Sequence, residues 1–429
     1  MLDLRRVRTD PEIVKAALAR RGDDGVSIDN LLELDATRRS LASSRDELRT
    51  QVNAISKEVG QLFRDKRQDD AAQLQAKSRE LGAKEAELDS QVAEVEAKIR
   101  EVLLVLPNLP SDDAPDGAGE QDNVILRVEG YDAANYAPHQ RVPHWEIASE
   151  LGLLDQEAAG RISGAMFSMY RGEGARLLRA MIQYSLDQNG DAYEEIRPPT
   201  LVRTDTMIAT GHLPKFVDEA YHMERDELWA IPTAEVPLTS LGRDQIFEEA
   251  DLPMKFMAHT SCYRREAGAA GRDTRGVLRS HEFDKVELLA YAATAETAQE
   301  AQADILARSE AILRDLGLAY RVLDLCAGDI GNSAARTWDI EAYAPGCDMW
   351  LEVSSVSWFS DYQARRANIR FRPSAGGSPE VIHTVNGSAM GWPRTWAAVV
   401  ETHRQADGTI SVPEVLRPYM RGTEVIGPR

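Results

Sequence analysis

Cysteine is scarce in this chain. Cys262, Cys326 and Cys347 stand far apart, form no Cys-x-x-Cys pair and are odd in number, so they define no disulfide framework and read as reduced thiols of a cytoplasmic protein. The eight histidines fall into no metal-ligand spacing, and no zinc is expected. No run of about 18 apolar residues occurs, so no membrane span is expected. The opening residues, MLDLRRVRTDPEI, are charged too early for a signal peptide. Glycine-rich phosphate loops are missing as well. There is no Gly-x4-Gly-Lys-Ser/Thr segment and no convincing Gly-x-Gly-x-x-Gly, so any nucleotide must be held another way. A net charge of -20 by itself argues against nucleic acid as a partner.

What the chain has is segregated along its length. At 429 residues it should form two domains, or one with a large appendage. From Asn30, apolar positions recur at spacings of four and three through Leu41, Leu48, Ile55 and Leu62. A polar break at Asp65–Asp70 separates them from a second register through Leu74, Leu81, Leu88, Val95 and Val102. That is the pattern of two helices of about 35 residues in an antiparallel coiled coil. The plain reading is an oligomerisation coil. Charge argues for another. Residues 38–67 carry eight basic and four acidic side chains, whereas residues 68–106 carry five basic and nine acidic. A basic stripe on an arm suits contact with a phosphate backbone. The expected division is an N-terminal domain over 1–109 with its arm at about 30–106, a linker over 110–143, and a body over 144–429.

The body is organised around Ser261–Glu287. Cys262 and Tyr263 end one expected strand; Val277, Leu278, Phe283, Val286, Leu288 and Leu289 supply its antiparallel return. Gly268, Gly271 and Gly276 punctuate the loop between them. Arg264, Arg265 and Glu266 close the first strand, Arg272 and Arg275 ride the loop, and Arg279, His281, Lys285 and Glu287 line the return. An arginine at a strand end can fork onto a phosphate, and an aromatic ring such as Phe283 can stack on a purine. A solvated, charged hairpin is the plain alternative.

Three further segments carry chemistry. Thr233-Ala234-Glu235 presents a carboxylate among small and apolar residues, a natural acceptor for an ammonium group. Glu352-Val353-Ser354-Ser355 alternates as a strand, which would put Glu352 and Ser354 on one face and Val353 and Ser355 on the other. Asn386-Gly387-Ser388 leads through Pro393 and Arg394 into an apolar helix.

Together these segments resemble the seryl-tRNA synthetases, a family of class II aminoacyl-tRNA synthetases. Residues 174–199 are similar to the family's motif 1, residues 261–287 to its motif 2 and residues 386–401 to its motif 3, in the right order. The resemblance implies an α+β chain: a class II catalytic domain built on an antiparallel β-sheet flanked by helices, preceded by a long antiparallel coiled-coil arm. It implies a homodimer that activates L-serine with ATP and passes it to the 3′ end of serine tRNA. Arg264, Glu266 and Arg394 would be catalytic. Thr233, Ala234, Glu235, Arg264, Glu287, Asn386 and Ser388 would bind serine. ATP would meet Arg264, Arg265, Glu266, Phe283, Glu352, Val353, Ser354, Ser355 and Arg394, with Phe283 and Arg394 on opposite faces of the adenine. Mg²⁺ would enter with ATP, held by Glu352 and Ser355. Arg38, Arg45 and Arg49 on the arm, and Arg272 and Arg275 on the loop, would touch tRNA. No side-chain nucleophile is implied, so Cys262 reads as structural.

The chain departs from the family pattern in a few places. Trp358 stands where Asn is usual, Ala389 where Gly is frequent, Gly391-Trp392 where small apolar residues are expected, and Ser280 and Glu282 flank His281. The two indoles are expected near the pocket. A paralogue with altered inhibitor sensitivity or a biosynthetic role, and a non-catalytic tRNA-binding relative, stay open on the sequence alone.

Overall fold

The computed structural model describes residues 1–267 and 275–428; Arg272 lies outside the described residues. Two compact units divide the chain, one of residues 2–19 and 23–106, the other of Met1, residues 20–22 and the chain from residue 107 onward.

The first unit is dominated by two helices, α1 (Val26–Arg64) and α2 (Gln68–Val105), of 39 and 38 residues. The link between them is shorter than the expected six-residue break. Lys66 turns through φ 61°, and the Arg67 N–H returns to the Leu62 carbonyl. Seam residues Leu41, Leu48 and Ile55 are only half-buried, as two helices alone allow. The charge contrast between the helices is used across this seam. Arg45 meets Asp89 at 3.0 Å, Arg49 meets Glu85 at 2.7 Å and Arg38 approaches Glu96 at 3.6 Å. The three arginines expected to face tRNA phosphates are thus already paired with the acidic helix. Asp35, near the start of α1, is buried among Arg8, Arg38 and Arg39. Burial pushes its carboxyl up, but Arg38 and Arg8 hold it below its ordinary value.

In the second unit an eight-stranded sheet carries the architecture: β1 (Val124–Glu129), β2 (Glu194–Glu195), β3 (Met254–Tyr263), β4 (Glu282–Ala292), β5 (Tyr320–Asp324), β6 (Arg336–Ala344), β7 (Met349–Trp358) and β8 (His383–Gly391). Their order is β1-β5-β6-β7-β8-β4-β3-β2, antiparallel throughout except for the parallel edge pair β2–β3. Strand β4 shows why the sequence folds so. Val286, Leu288, Ala290 and Ala292 feed one apolar core, while Leu289 and Tyr291 feed a second on the opposite face. The strand is buried on both sides and therefore reads as a nearly unbroken apolar run. Only its first half, where Phe283, Lys285 and Glu287 share the second face, opens onto a cavity.

Helices cover the sheet. α3 (His144–Leu151), α4 (Glu173–Asn189), α5 (Glu235–Ser240), α6 (Ala295–Asp315), α7 (Tyr362–Ala367) and α8 (Trp392–Thr402) are those that matter to the site. α6 lies against β8 so closely that a Cβ on Gly387 would stand 2.6 Å from Ile305, and Ser309 donates to the Ser388 carbonyl at 2.9 Å. Two expectations shift here. The motif 1 strand stops at Glu195; Ile196 makes one last bond to Met257, and Pro198 and Pro199 have no N–H to extend the ladder. The return strand of motif 2 begins at Glu282. Val277 and Leu278, expected within it, lie in an irregular turn that follows Gly276 at φ +60°.

Candidate active site

A cavity of about 730 Å³ opens over the sheet. Period-two alternation on β4 supplies Phe283, Lys285 and Glu287, and the neighbouring β8 supplies Asn386 and Ser388. Thr233 and Glu235 enter from the start of α5, Arg264 and Glu266 from the end of β3, Arg394 from the first turn of α8, and Glu352, Val353, Ser354 and Ser355 from β7. Of the residues assigned to serine and ATP by resemblance, only Ala234 and Arg265 do not line it. Ala234 is fully buried as the N-cap of α5. Arg265 turns away: its backbone N–H goes to the Glu219 carbonyl and its guanidinium to the Asp218 carbonyl at 3.2 Å. The loop arginine Arg275 lies over the Trp145 ring at 4.7 Å.

One end of the cavity gathers two carboxylates. Glu287 is buried and Glu235 half-buried, and desolvation pushes both carboxyls above their ordinary value. Gln363 donates to Glu235 at 2.6 Å. Lys285, buried on the same strand face as Glu287, pairs with it and donates to Thr233 at 2.8 Å. His212 closes the wall. Burial, with Arg264 and Lys285 nearby, drives its imidazole down to about 3, so the ring is neutral and bonds Thr210 at 2.8 Å. Cys262, the neighbour of Phe283 across the strand pair, is fully buried with its thiol pushed up by burial, which fits a packing role.

The other end presents guanidinium groups. Arg264 sits over the Phe283 ring at 5.2 Å. Glu266, at φ 52°, is pinned by an ion pair with Arg279. Arg394 donates through Nε to the Leu278 carbonyl at 3.1 Å and through Nη1 to the Glu352 carbonyl at 3.0 Å. Its guanidinium also stands 3.5 Å from the Glu352 carboxylate.

Strand β7 corrects the expected alternation. Ile340 pairs with Ser354 but Glu341 with Glu352, so a bulge at Val353 breaks the register. Cross-strand partners share a face. Glu352 therefore lies with Ser355, the partner of Asp339, and not with Ser354, whose hydroxyl donates to the Ser388 carbonyl at 2.5 Å. Asp339 and Glu341 complete that face. Burial and the Glu352 charge hold the Asp339 carboxyl well above its ordinary range, and its Oδ1 is buried without a hydrogen-bond partner. Two carboxylates and a hydroxyl are hard oxygen donors, which suit Mg²⁺ better than a softer metal.

The two indoles lie behind the cavity wall, between residues that line it: Ser357 and Phe359 flank Trp358, and Gly391 and Pro393 flank Trp392. Trp358 and Trp392 are buried in the main core, not on the cavity wall, and Trp358 stacks on His383 at 5.9 Å. Sequence reasoning missed Lys285, His212, Gln363, Arg279 and Asp339 as site residues. The alternation of β4 could have found Lys285, two places before Glu287; the others meet the site only through tertiary packing.

This arrangement has known counterparts. Residues 218–403 match the family described as tRNA synthetase class II core domain (G, H, P, S and T), and residues 1–110 match the Seryl-tRNA synthetase N-terminal domain. Fold and site are thus those of a class II aminoacyl-tRNA synthetase. The chain is 45% identical to a serine–tRNA ligase of Citrifermentans bemidjiense, over 99% of this chain and 100% of the relative. A crystal structure of seryl-tRNA synthetase from Pyrococcus horikoshii complexed with ATP matches at a TM-score of 0.92 and 33% identity, covering 100% of both chains. Cytoplasmic serine-tRNA ligase from Naegleria fowleri in complex with AMP matches at 0.88 and 27%, covering 100% of this chain and 99% of that one. The chain belongs to the seryl-tRNA synthetase family.

Proposed function

We propose that this protein activates L-serine with ATP, forming seryl-adenylate and pyrophosphate, and then transfers serine to the 3′ end of serine tRNA. The observation that carries the reading is the pairing of two desolvated carboxylates, Glu235 and Glu287, with Arg264 in one cavity: an ammonium site beside a phosphate site. Glu235 and Glu287 bind the serine ammonium with help from Thr233, and Asn386 and Ser388 take the hydroxyl. A site built to hydrogen-bond a hydroxyl rejects analogues that lack one. Arg264 steers the serine carboxylate in line with the α-phosphate, and Glu266 orients the nucleotide. Phe283 and Arg394 flank the adenine. The chemistry is positioning and charge stabilisation, with no protein nucleophile. Mg²⁺ bound with ATP would be held by Glu352 and Ser355, with Asp339 beside them, and would neutralise the departing pyrophosphate.

Residues 1–109 are assigned to tRNA binding, residues 110–143 to a linker and residues 144–429 to catalysis. Arg38, Arg45 and Arg49 must exchange their carboxylate partners for phosphates, or share them, when tRNA binds. Arg49, whose side chain is 53% exposed, is the best placed to do so. A homodimer is supported by the outer strand β1, whose Val124, Ile125, Leu126 and Val128 are exposed on a sheet edge. Among the described residues no helix is long and apolar enough to cross a membrane; a cytoplasmic location follows from the proposed tRNA substrate. The reading is tested by charging: purified protein should load labelled serine onto serine tRNA and leave other tRNAs unloaded. Absence of loading by a folded, ATP-binding protein would refute it.

A further inference from the structure

His144, Cys347 and Glu401 meet inside the catalytic unit, each offering one donor atom within 4.8 Å of the others. Imidazole, thiol and carboxylate are zinc-type ligands, but their hydrogen bonds give them another task. Glu401, in the last turn of α8, is fully buried and gathers donors on both oxygens. Its Oε1 accepts from the His144 backbone N–H and from ring Nδ1, both at 2.8 Å, and from the Cys347 thiol at 3.0 Å. Its Oε2 accepts from the Gly346 N–H at 2.8 Å and the Cys347 N–H at 3.2 Å. On the far side of the ring, His144 Nε2 accepts from the Val277 N–H at 3.1 Å. A backbone amide can only donate, so Nε2 is the bare nitrogen and Nδ1 carries the proton. The ring thus turns an N–H, not a lone pair, toward Cys347 and Glu401. The trio cannot ligate a metal while the Val277 bond is made.

The residue after Val277 leads to the cavity. The Leu278 carbonyl accepts from Arg394 Nε at 3.1 Å, and Val277, Leu278 and Arg394 all line the cavity. Arg394 and Glu401 lie on the same helix, roughly two turns apart. One helix therefore grips the returning end of motif 2 at two successive residues, through His144 at the Val277 N–H and through Arg394 at the Leu278 carbonyl. Gly276 fits this grip. It turns at φ +60°, and a Cβ there would stand 2.1 Å from His144 Nε2.

We propose that His144, oriented by Glu401, is a positioning residue of the nucleotide site. It fixes the Val277–Leu278 segment so that the Leu278 carbonyl holds the Arg394 guanidinium where a nucleoside triphosphate docks. This inference rests on the ATP-dependent reading above. The test compares His144→Phe, which keeps a ring and removes both polar functions, with His144→Gln, whose carboxamide oxygen can still accept from Val277. Serine-dependent exchange of pyrophosphate into ATP gives KM for ATP and for serine, normalised by active-site titration, and calorimetry gives ATP affinity directly. His144→Phe should raise KM for ATP about tenfold, the scale of one lost hydrogen bond, with KM for serine changed less than about twofold, and His144→Gln should recover most of the loss. An unchanged KM for ATP, an equal rise in both constants, or a Gln variant no better than Phe would overturn the proposal. ¹⁵N NMR of the histidine-labelled wild-type protein tests it without any variant: a protonated Nδ1 and bare Nε2 are expected, and the opposite tautomer or a metal-bound ring overturns it. A wild-type protein with no serine-dependent exchange would instead break the functional reading, and calorimetric ATP binding would still decide this one.

Discussion

Glu235 and Glu287 share a cavity with Lys285 and Arg264, and their partners differ in a way that can be measured. Burial raises both carboxyls from an ordinary 4.5. A carboxyl whose folded value exceeds its unfolded one costs stability when ionised. That cost is absent below about pH 4.5 and complete above the folded value. Glu235→Gln removes it, and the amide keeps a contact with Gln363; its melting temperature at neutral pH should equal or exceed wild type, an advantage that vanishes toward pH 4. Glu287→Gln leaves the buried Lys285 without its counter-charge and should lower the melting temperature. Both variants should raise KM for serine, by about 10- to 100-fold for one lost charge-assisted bond. In the wild type, KM for serine should climb as the pH falls through the raised carboxyl values, because an ammonium needs the ionised form. Arg264→Ala should keep the fold and lose adenylate formation, a loss of several kcal/mol at about 3; near-normal exchange would remove Arg264 from the catalytic list. At this scale the sequence was informative wherever a side chain acts by its own chemistry. Glu235 and Arg264 could be named from their own chemistry and Glu287 through the family resemblance, and the fold brings all three to one cavity. His212 and Gln363 could not be named, since burial and a distant partner give them their roles.

Strands β4 and β7 mark where pattern reading succeeds and where it fails. On β4 the period of two holds, so Phe283, Lys285 and Glu287 share the cavity face and the alternate residues fill the core. On β7 the Val353 bulge shifts the register by one, an event that Glu-Val-Ser-Ser does not announce, and it turns Ser355 rather than Ser354 to the side of Glu352. Glu352→Gln should therefore raise the Mg²⁺ concentration needed for half-maximal exchange, and Ser355→Ala should do so less, while Ser354→Ala, which loses only a bond to the Ser388 carbonyl, should leave the Mg²⁺ response unchanged. A Mg²⁺ titration of pyrophosphate exchange reads all three. The indoles of Trp358 and Trp392 were expected near the pocket and stand next to residues that line it, but that their rings turn into the main core depends on the helices packed above. On the arm, heptads gave both helices, while the pairing of Arg45 with Asp89 and Arg49 with Glu85 needed the two registers together. Such exposed pairs are worth about 0.2–1 kcal/mol each. Arg49→Gln should thus barely move the melting temperature while weakening tRNA binding.

The whole molecule divides its work between two units, and the residues assigned to activation all lie in the second. Deleting residues 30–106 and joining the ends should leave serine activation nearly intact and reduce tRNA charging steeply. The salt dependence of tRNA binding should flatten in the deletion, because phosphate contacts release counterions. If the shortened protein charges tRNA as well as the full chain, the arm is an oligomerisation coil. The order of motifs along the chain and the coiled coil were legible because each repeats a simple period or spacing. The edge strand β1 with its exposed apolar face was not, since nothing in the expected linker over 110–143 announced a strand. The central claim, that this cavity selects serine and joins it to AMP, is tested most directly by pyrophosphate exchange into ATP with serine, alanine, threonine, glycine and cysteine offered in turn. The account predicts that serine dominates, with alanine and glycine far behind because Asn386 and Ser388 would be left without a hydroxyl to bond. Exchange driven best by any other amino acid, or none with serine, would contradict it.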